Sequence, residues 1–167
     1  MLFYKGKQMN KKIKTIQGDI TNIKTDAIVN AANHTLLGGG GVDRAIHRAA
    51  GKELLEECKK LGGCKTGEAK LTKGYNLPAK HVIHTVGPIY SKEKDKSAEL
   101  LAACYTNSLK LAAENNIKTI AFPAISTGAY GYPKAEAAKV ATEAIEKFLN
   151  SDLGKKIEQV VLMVFSH

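Results

Sequence analysis

The sequence predicts an α/β fold in three layers, with a largely internal, mostly parallel sheet between helices. Three observations predict it. Segments of strand character alternate with segments of helical periodicity along the chain. The segments DAIVNAA (26–32), TIAFPA (119–124) and EQVVLMVF (158–165) are short and almost continuously apolar, as strands covered on both faces are. No linker, repeat or low-complexity stretch interrupts the pattern, so 167 residues read as one domain.

Taken in order, KIKTIQ (12–17) alternates Ile13 with Thr15 and is a first strand, and DAIVNAA is the second. From Val42, the residues Val42, Ile46, Ala49 and Ala50 fall on one helical stripe. KELLEECKKLGG (52–63) continues or restarts as a helix and stops at glycines. EAKLTKGY (68–75) and HVIHTVGP (81–88) are strands, and residues 97–115 form an amphipathic helix. TIAFPA is the next strand. Residues 133–149, opening with Pro133, form a helix with proline near its first turn, and EQVVLMVF is the last strand. Residues 1–11 read as a poorly ordered N-terminal extension, and 12–167 as the domain.

Composition excludes several classes. There is no apolar run of membrane-spanning length, and the apolar part of MLFYKGKQMNKK is too short for a secretory signal. Cys58, Cys64 and Cys104 are odd in number and lack a CxxC pair, which suits free thiols and a cytoplasmic location. The formal charge of +9 attracts anionic partners such as phosphates, nucleotides or nucleic acid. No basic stripe interleaved with aromatics is present, so nucleic acid ranks low. His81 and His84 are three apart on a strand and face opposite sides, and the cysteines lack zinc spacing. No metal or cofactor is expected.

Two loops each follow a buried strand and precede a helix: Asn33–Gly41, and Ser126-Thr127-Gly128-Ala129-Tyr130-Gly131. In open α/β sheets such loops gather at the carboxyl ends of strands, where ligands bind. Glycines bring backbone N–H groups close to an anion, and a helix N-terminus adds a favourable field. Together the loops suit a diphosphate. Asp43 and His47, four apart, share a helix face. The helix start favours the charged form of Asp43. Spacing alone leaves two readings for this pair: a carboxylate placed to activate water, or a residue suited to the helix start followed by a packing histidine. Asn33 offers a donor and an acceptor suited to a sugar diol, and also suits a turn at a strand end.

The pieces QGDIT (17–21), DAIVNAAN (26–33), LLGGGGVD (36–43), AIHRAAG (45–51), CKTGEAKLTKGYNLPAKHVIHTVGP (64–88) and AFPAISTGAYGYP (121–133) together resemble a macrodomain of the MacroD-type branch, over almost the whole chain. The resemblance implies an α/β/α sandwich around a mixed, mostly parallel six-stranded sheet that binds ADP-ribose in a cleft. It also implies hydrolysis of mono-ADP-ribose esters on acidic side chains of proteins, and deacetylation of O-acetyl-ADP-ribose. By the same resemblance Asp19 would bond the adenine amino group beside the Ile20 backbone, and Phe165 would pack on the adenine ring. Gly38, Gly39, Gly40, Gly41 and Val42 would clasp the diphosphate from one side, and Ser126, Thr127, Gly128, Ala129 and Tyr130 from the other. Asn33 would hold the distal ribose under Tyr130. Asp43 would be the catalytic carboxylate, with Asn33 and His47 in support.

Two departures from the family pattern stand out. Arg44 follows the aspartate where the family usually has a small residue. If it paired with Asp43 or narrowed the ribose end, the chain would be an ADP-ribose reader with weak or no hydrolysis; if it pointed to solvent beside Arg48, it would do nothing. After Phe165 the sequence has only Ser166 and His167, where relatives add acidic residues and a closing helix. The expected effect is a less covered sheet or adenine side.

Overall fold

The strands β1 (Ile13–Gln17), β2 (Ala27–Ala32), β3 (Ala69–Lys73), β4 (His81–Val86), β5 (Thr119–Phe122) and β6 (Gln159–Val164) form one sheet in the order β1-β6-β5-β2-β4-β3. The computed structural model describes residues 10–93 and 95–164. Five strands run parallel, and β3 alone pairs antiparallel, with β4. The four helices are α1 (Gly41–Ala50), α2 (Lys52–Leu61), α3 (Ser97–Glu114) and α4 (Lys134–Leu149). Every predicted strand and helix is present, in the predicted order. Two short 3-10 turns, Ile20–Asn22 and Leu153–Lys156, are additions that no sequence pattern marks.

Strand alternation sorts the core into two layers. Ala27 and Val29 of β2, Ile83 of β4, Ile120 and Phe122 of β5, and Val160 and Leu162 of β6 pack against α3 and α4. Their neighbours Ile28, Ala32, Val82, Val86, Ala121 and Val161 pack against α1 and α2. The central strands are therefore covered on both sides, which is why they read as continuous apolar runs. Each fully buried aliphatic side chain contributes about 1.5–3 kcal/mol relative to exposure.

The helix ends follow local chemistry. Gly51 divides α1 from α2 with φ 93°, and Gly62 ends α2 in the left-handed region. Pro133 caps the start of α4, as expected for a proline near the first turn. Asn10, within the expected extension, donates its N–H to Glu146 Oε1 at 2.6 Å, and its own Oδ1 accepts from Lys12 N–H. Residues 1–9 lie outside the described residues. Among the described residues no helix is long and apolar enough to cross a membrane.

Candidate functional site

The topology chooses the place for a site. The adjacent, parallel strands β2 and β5 send their chains to opposite faces of the sheet: β2 leads to α1 and β5 to α4. A crevice opens at the carboxyl ends of strands where connections diverge in this way. The two glycine-containing loops, 33–40 and 123–131, lie at this divergence.

Both loops are held from behind, and each leaves a run of N–H groups unspent. Asn33 Nδ2 donates to the Gly38 carbonyl (2.9 Å), while its Oδ1 accepts from the Thr35 N–H and hydroxyl (3.1 and 2.6 Å). Ser126, at φ 67°, is a non-glycine residue in the left-handed region. Its hydroxyl donates to the Pro88 carbonyl (2.8 Å), and its own carbonyl accepts from Tyr132 N–H (2.9 Å). Strained backbone of this kind persists where the surroundings over-determine it. Gly87 supplies the room, since a Cβ there would stand 2.2 Å from Ser126 Oγ. The Tyr130 carbonyl accepts from Tyr90 N–H (3.0 Å). Among the described residues, the N–H groups of Gly38 to Asp43 and of Ser126 to Tyr130 donate no hydrogen bond, and Arg44 N–H is the first in α1 to do so, to the Gly40 carbonyl. Two runs of donors on either side of a crevice suit a ligand with two anionic groups.

Beneath the first loop lies a polar pocket. Asp43 is 3% exposed, and Gly39 closes over it: a Cβ at Gly39 would come within 3.0 Å of Asp43 Oδ2 and 3.2 Å of Asn33 Nδ2. Asp43 Oδ1 accepts from Asn30 Nδ2 at 2.9 Å and lies 3.4 Å from His47 Nε2. The histidine contact is at ion-pair distance without the alignment of a good hydrogen bond. Burial holds the Asp43 carboxyl above its ordinary range, against the opposing pull of the Asn30 hydrogen bond and of His47. This corrects the expectation that the helix start favours its charged form: desolvation outweighs the field of the helix end. A carboxylate of raised pKa is a stronger base.

The pocket continues inward through residues the sequence reading did not assign to the site. Asn30 and His84 are fully buried, and Asn30 Nδ2 lies 3.2 Å from His84 Nδ1. His84 Nε2 lies 2.9 Å from Thr72 Oγ1 and 3.8 Å from Cys58 Sγ. The signal was present in the sequence: 30 and 84 are polar positions inside apolar strands, in phase with Ile28 and Val82 on one face.

The other expected site residues fall as follows. Asp19 is exposed after β1, and its Oδ1 accepts from Thr21 N–H and hydroxyl (2.9 and 2.7 Å). Gly18 N–H donates to the Val164 carbonyl, which sets this loop beside the end of β6. The Ile20 side chain is buried in the α1/α2 core, and Val42 packs partly against it. Thr127 donates to the Ala124 carbonyl (3.0 Å), and Gly128 and Ala129 are exposed. Gly41 opens α1 at φ 58°. Phe165, with Ser166 and His167, lies outside the described residues. Arg44 is exposed, and among the described residues it forms no ion pair with Asp43, whose partners are Asn30 and His47. The basis for a restraining Arg44 is therefore missing. Among the described residues no three of His, Cys, Asp and Glu are grouped as metal ligands.

A family model described as Macro domain matches residues 29–141. A macro domain-containing protein of Chlorobaculum tepidum is 59% identical over 94% of this chain and 90% of its own length. The ADP-ribose glycohydrolase MACROD2 of Xenopus laevis is 56% identical over 93% of this chain, which spans 37% of that protein. Among solved structures, the Oceanobacillus iheyensis macrodomain with ADP superposes with a TM-score of 0.85 at 45% identity, over 93% of this chain and 83% of the other. The Trypanosoma brucei macrodomain in complex with ADP-ribose gives 0.85 at 45% identity, over 92% and 63%.

Proposed function

The chain belongs to the Macro domain family, and on that premise we propose that its cleft binds ADP-ribose and that it hydrolyses mono-ADP-ribose from modified proteins. One observation carries the reading: a buried carboxylate of raised pKa, Asp43, lies directly beneath a loop whose N–H groups are unspent. The two loops take the diphosphate through backbone donors, Gly38 to Val42 on one side and Ser126 to Tyr130 on the other. The distal ribose then falls over Asn33 and Asp43, with Tyr130 as its cover. The adenine lies at the other end, by Asp19 and Ile20. Similarity to an ADP-ribose glycohydrolase and to macrodomains solved with ADP and ADP-ribose supports this reading.

The finer substrates are the ester of an acidic side chain and O-acetyl-ADP-ribose. In the side-chain ester, water adds to the anomeric carbon of the distal ribose. The bond to the ester oxygen breaks, and its electron pair leaves with the acceptor carboxylate. Asp43 takes the proton of the water, and His47 stands 3.4 Å from that carboxylate. The acid of the departing carboxylate ionises at about pH 4, so it leaves without a strong general acid. All three cysteines are unpaired and buried, which supports a cytoplasmic setting.

The test pairs a calorimetric titration of ADP-ribose with single-turnover release of ADP-ribose from an ester-modified protein. The parent should bind and release. Asp43→Ala should keep binding and lose about 10²–10⁴ in rate, the usual contribution of a positioned base. Binding without release in the parent would make the chain a reader.

A further inference from the structure

We propose that His84 is a positioning residue for this reaction: its ring fixes the side-chain amide of Asn30, and through that amide the Asp43 carboxylate. The inference rests on the hydrolase reading above.

The amide of Asn30 stands between two acceptors. With Nδ2 toward the pocket, one N–H reaches Asp43 Oδ1 (2.9 Å) and the other His84 Nδ1 (3.2 Å). Turned over, the amide oxygen would face a carboxylate oxygen and a ring nitrogen at the same distances. The first arrangement therefore holds, but only while His84 Nδ1 carries no proton. That condition is set at the far side of the ring. Thr72 has its hydroxyl 3.1 Å from the Lys73 carbonyl and 3.5 Å from that of Val82, so it donates outward and leaves a lone pair for His84 Nε2–H at 2.9 Å. The hydrogen bonds then run in one consistent direction, from Asn30 to His84 Nδ1 and from His84 Nε2–H to Thr72. The opposite tautomer would set N–H against N–H. Burial holds the ring neutral, with its pKa pushed down to about 3. Cys58 lies 3.8 Å from Nε2, and burial pushes its thiol up to about 11, so it stays uncharged.

The location favours positioning over mere packing. Asn30, His84 and Thr72 lie on the neighbouring strands β2, β4 and β3, the stiff part of the molecule, whereas Asp43 and the phosphate loop are carried above them. Elements of this kind hold a reactive group more accurately than loops do. Packing alone would be served by aliphatic residues at 30 and 84, as it is at Ile28 and Val82 on the same face. The titratable groups around Asp43 are His47 on its own helix, Cys58 on α2 and His84 on β4.

The experiment compares pH–rate profiles of single-turnover ADP-ribose release in the parent, His84→Gln, His84→Asn, Thr72→Val and Thr72→Ser. ADP-ribose titrations accompany each variant. Gln places its amide where Nε2 stood and leaves Asn30 without an acceptor, whereas Asn keeps an acceptor where Nδ1 stood. His84→Gln and Thr72→Val should lose roughly 10- to 100-fold in rate, the worth of a hydrogen bond to a charged group. Their acidic limb should move to higher pH, because the Asn30 donation that pulls Asp43 down is weakened. Affinity for ADP-ribose should be nearly unchanged. His84→Asn and Thr72→Ser should restore the parent profile. Nitrogen NMR of the parent should show His84 with a proton on Nε2 only and no titration between about pH 5 and 8.

An active parent with an unmoved limb in both His84→Gln and Thr72→Val overturns this proposal and leaves the hydrolase reading intact. An Nδ1–H tautomer in the parent overturns it as well. A parent that releases no ADP-ribose overturns both. If His84→Gln does not fold, Thr72→Val and the parent spectrum decide.

Discussion

On the α3/α4 face of the sheet, Val29, Ile83, Ile120, Phe122 and Leu162 meet Leu101, Tyr105 and Leu109 in a continuous apolar layer. On the α1/α2 face, the same central strands place Asn30 and His84 among Ile28, Val82 and Val86, with Asp43 above them. Neighbouring residues of one strand thus serve opposite ends: one face gains stability from burial, and the other gives up some of it to hold a charge out of water. Polar groups so deep in the molecule are costly unless hydrogen-bonded. Here Asn30 Nδ2, His84 and Thr72 partner one another, while Asn30 Oδ1 and His47 Nε2 have no hydrogen-bond partner among the described residues. The cost is why the first three come as a linked set rather than singly.

The sharpest way to break the comparison is one substitution on each face. Asp43→Asn should cost about 10²–10⁴ in turnover. It should also raise thermal stability at neutral pH. The folded pKa of Asp43 lies above its unfolded value, so the folded state binds more protons, and stability falls as pH rises through that window. The neutral variant escapes this loss, and its advantage should vanish at pH values below the unfolded pKa. Phe122→Ala, on the other face, should destabilise by about 3–5 kcal/mol and leave turnover per folded molecule unchanged. Thermal melts over a pH series, with single-turnover rates, check both. A stability gain of Asp43→Asn that persisted into acid would remove the pKa account.

A smaller effect sharpens where the second face ends. Gly39→Ala places a methyl 3.0 Å from Asp43 Oδ2 and 3.2 Å from Asn33 Nδ2, so the loop or these two side chains must give by a few tenths of an ångström. Overpacking of this kind costs about 1–3 kcal/mol, and ADP-ribose affinity should fall about tenfold. Unchanged calorimetric affinity would mean that the loop moves freely over the carboxylate. The smallest expected effect is at Arg44→Ala. The side chain is exposed and not paired with Asp43, so stability should shift by no more than about 0.5 kcal/mol, with turnover unaltered. A marked rise in rate would show that Arg44 reaches the site during the reaction.

The sequence made the elements legible because each carries its own period: DAIVNAA and EQVVLMVF are apolar on both faces, and the stripe through Ile46 and Ala50 marks α1. The loops could be read from the position of their glycines. The antiparallel setting of β3 could not, since AKLTK alternates in the same way in either direction. The inner half of the pocket was also hidden. By spacing alone His84 is only a metal ligand to be dismissed, and Asn30 is only part of a strand. Their meaning depends on the register of β2 on β4, which pairs Asn30 with His84, and on β3 bringing Lys70 opposite His84 so that Thr72 stands two residues away. Pairing across strands leaves no trace in the spacing of one chain.

The outer edge of the sheet carries a consequence for how the molecule is made. β1 is the first described strand, yet among the described strands it pairs only with β6, the last of them. A ribosome must deliver the chain from Ile13 through Val164 before β1 finds this neighbour, and closing so long a loop is slow. The central strands and their helices can assemble earlier around β2. The Asp19 loop, tied to the end of β6 by the Gly18 N–H, is then among the last parts to take shape. Refolding followed by stopped flow should report order at Asn30 and His84 before order at Gly18, so that one end of the cleft is built while the other still awaits its strand.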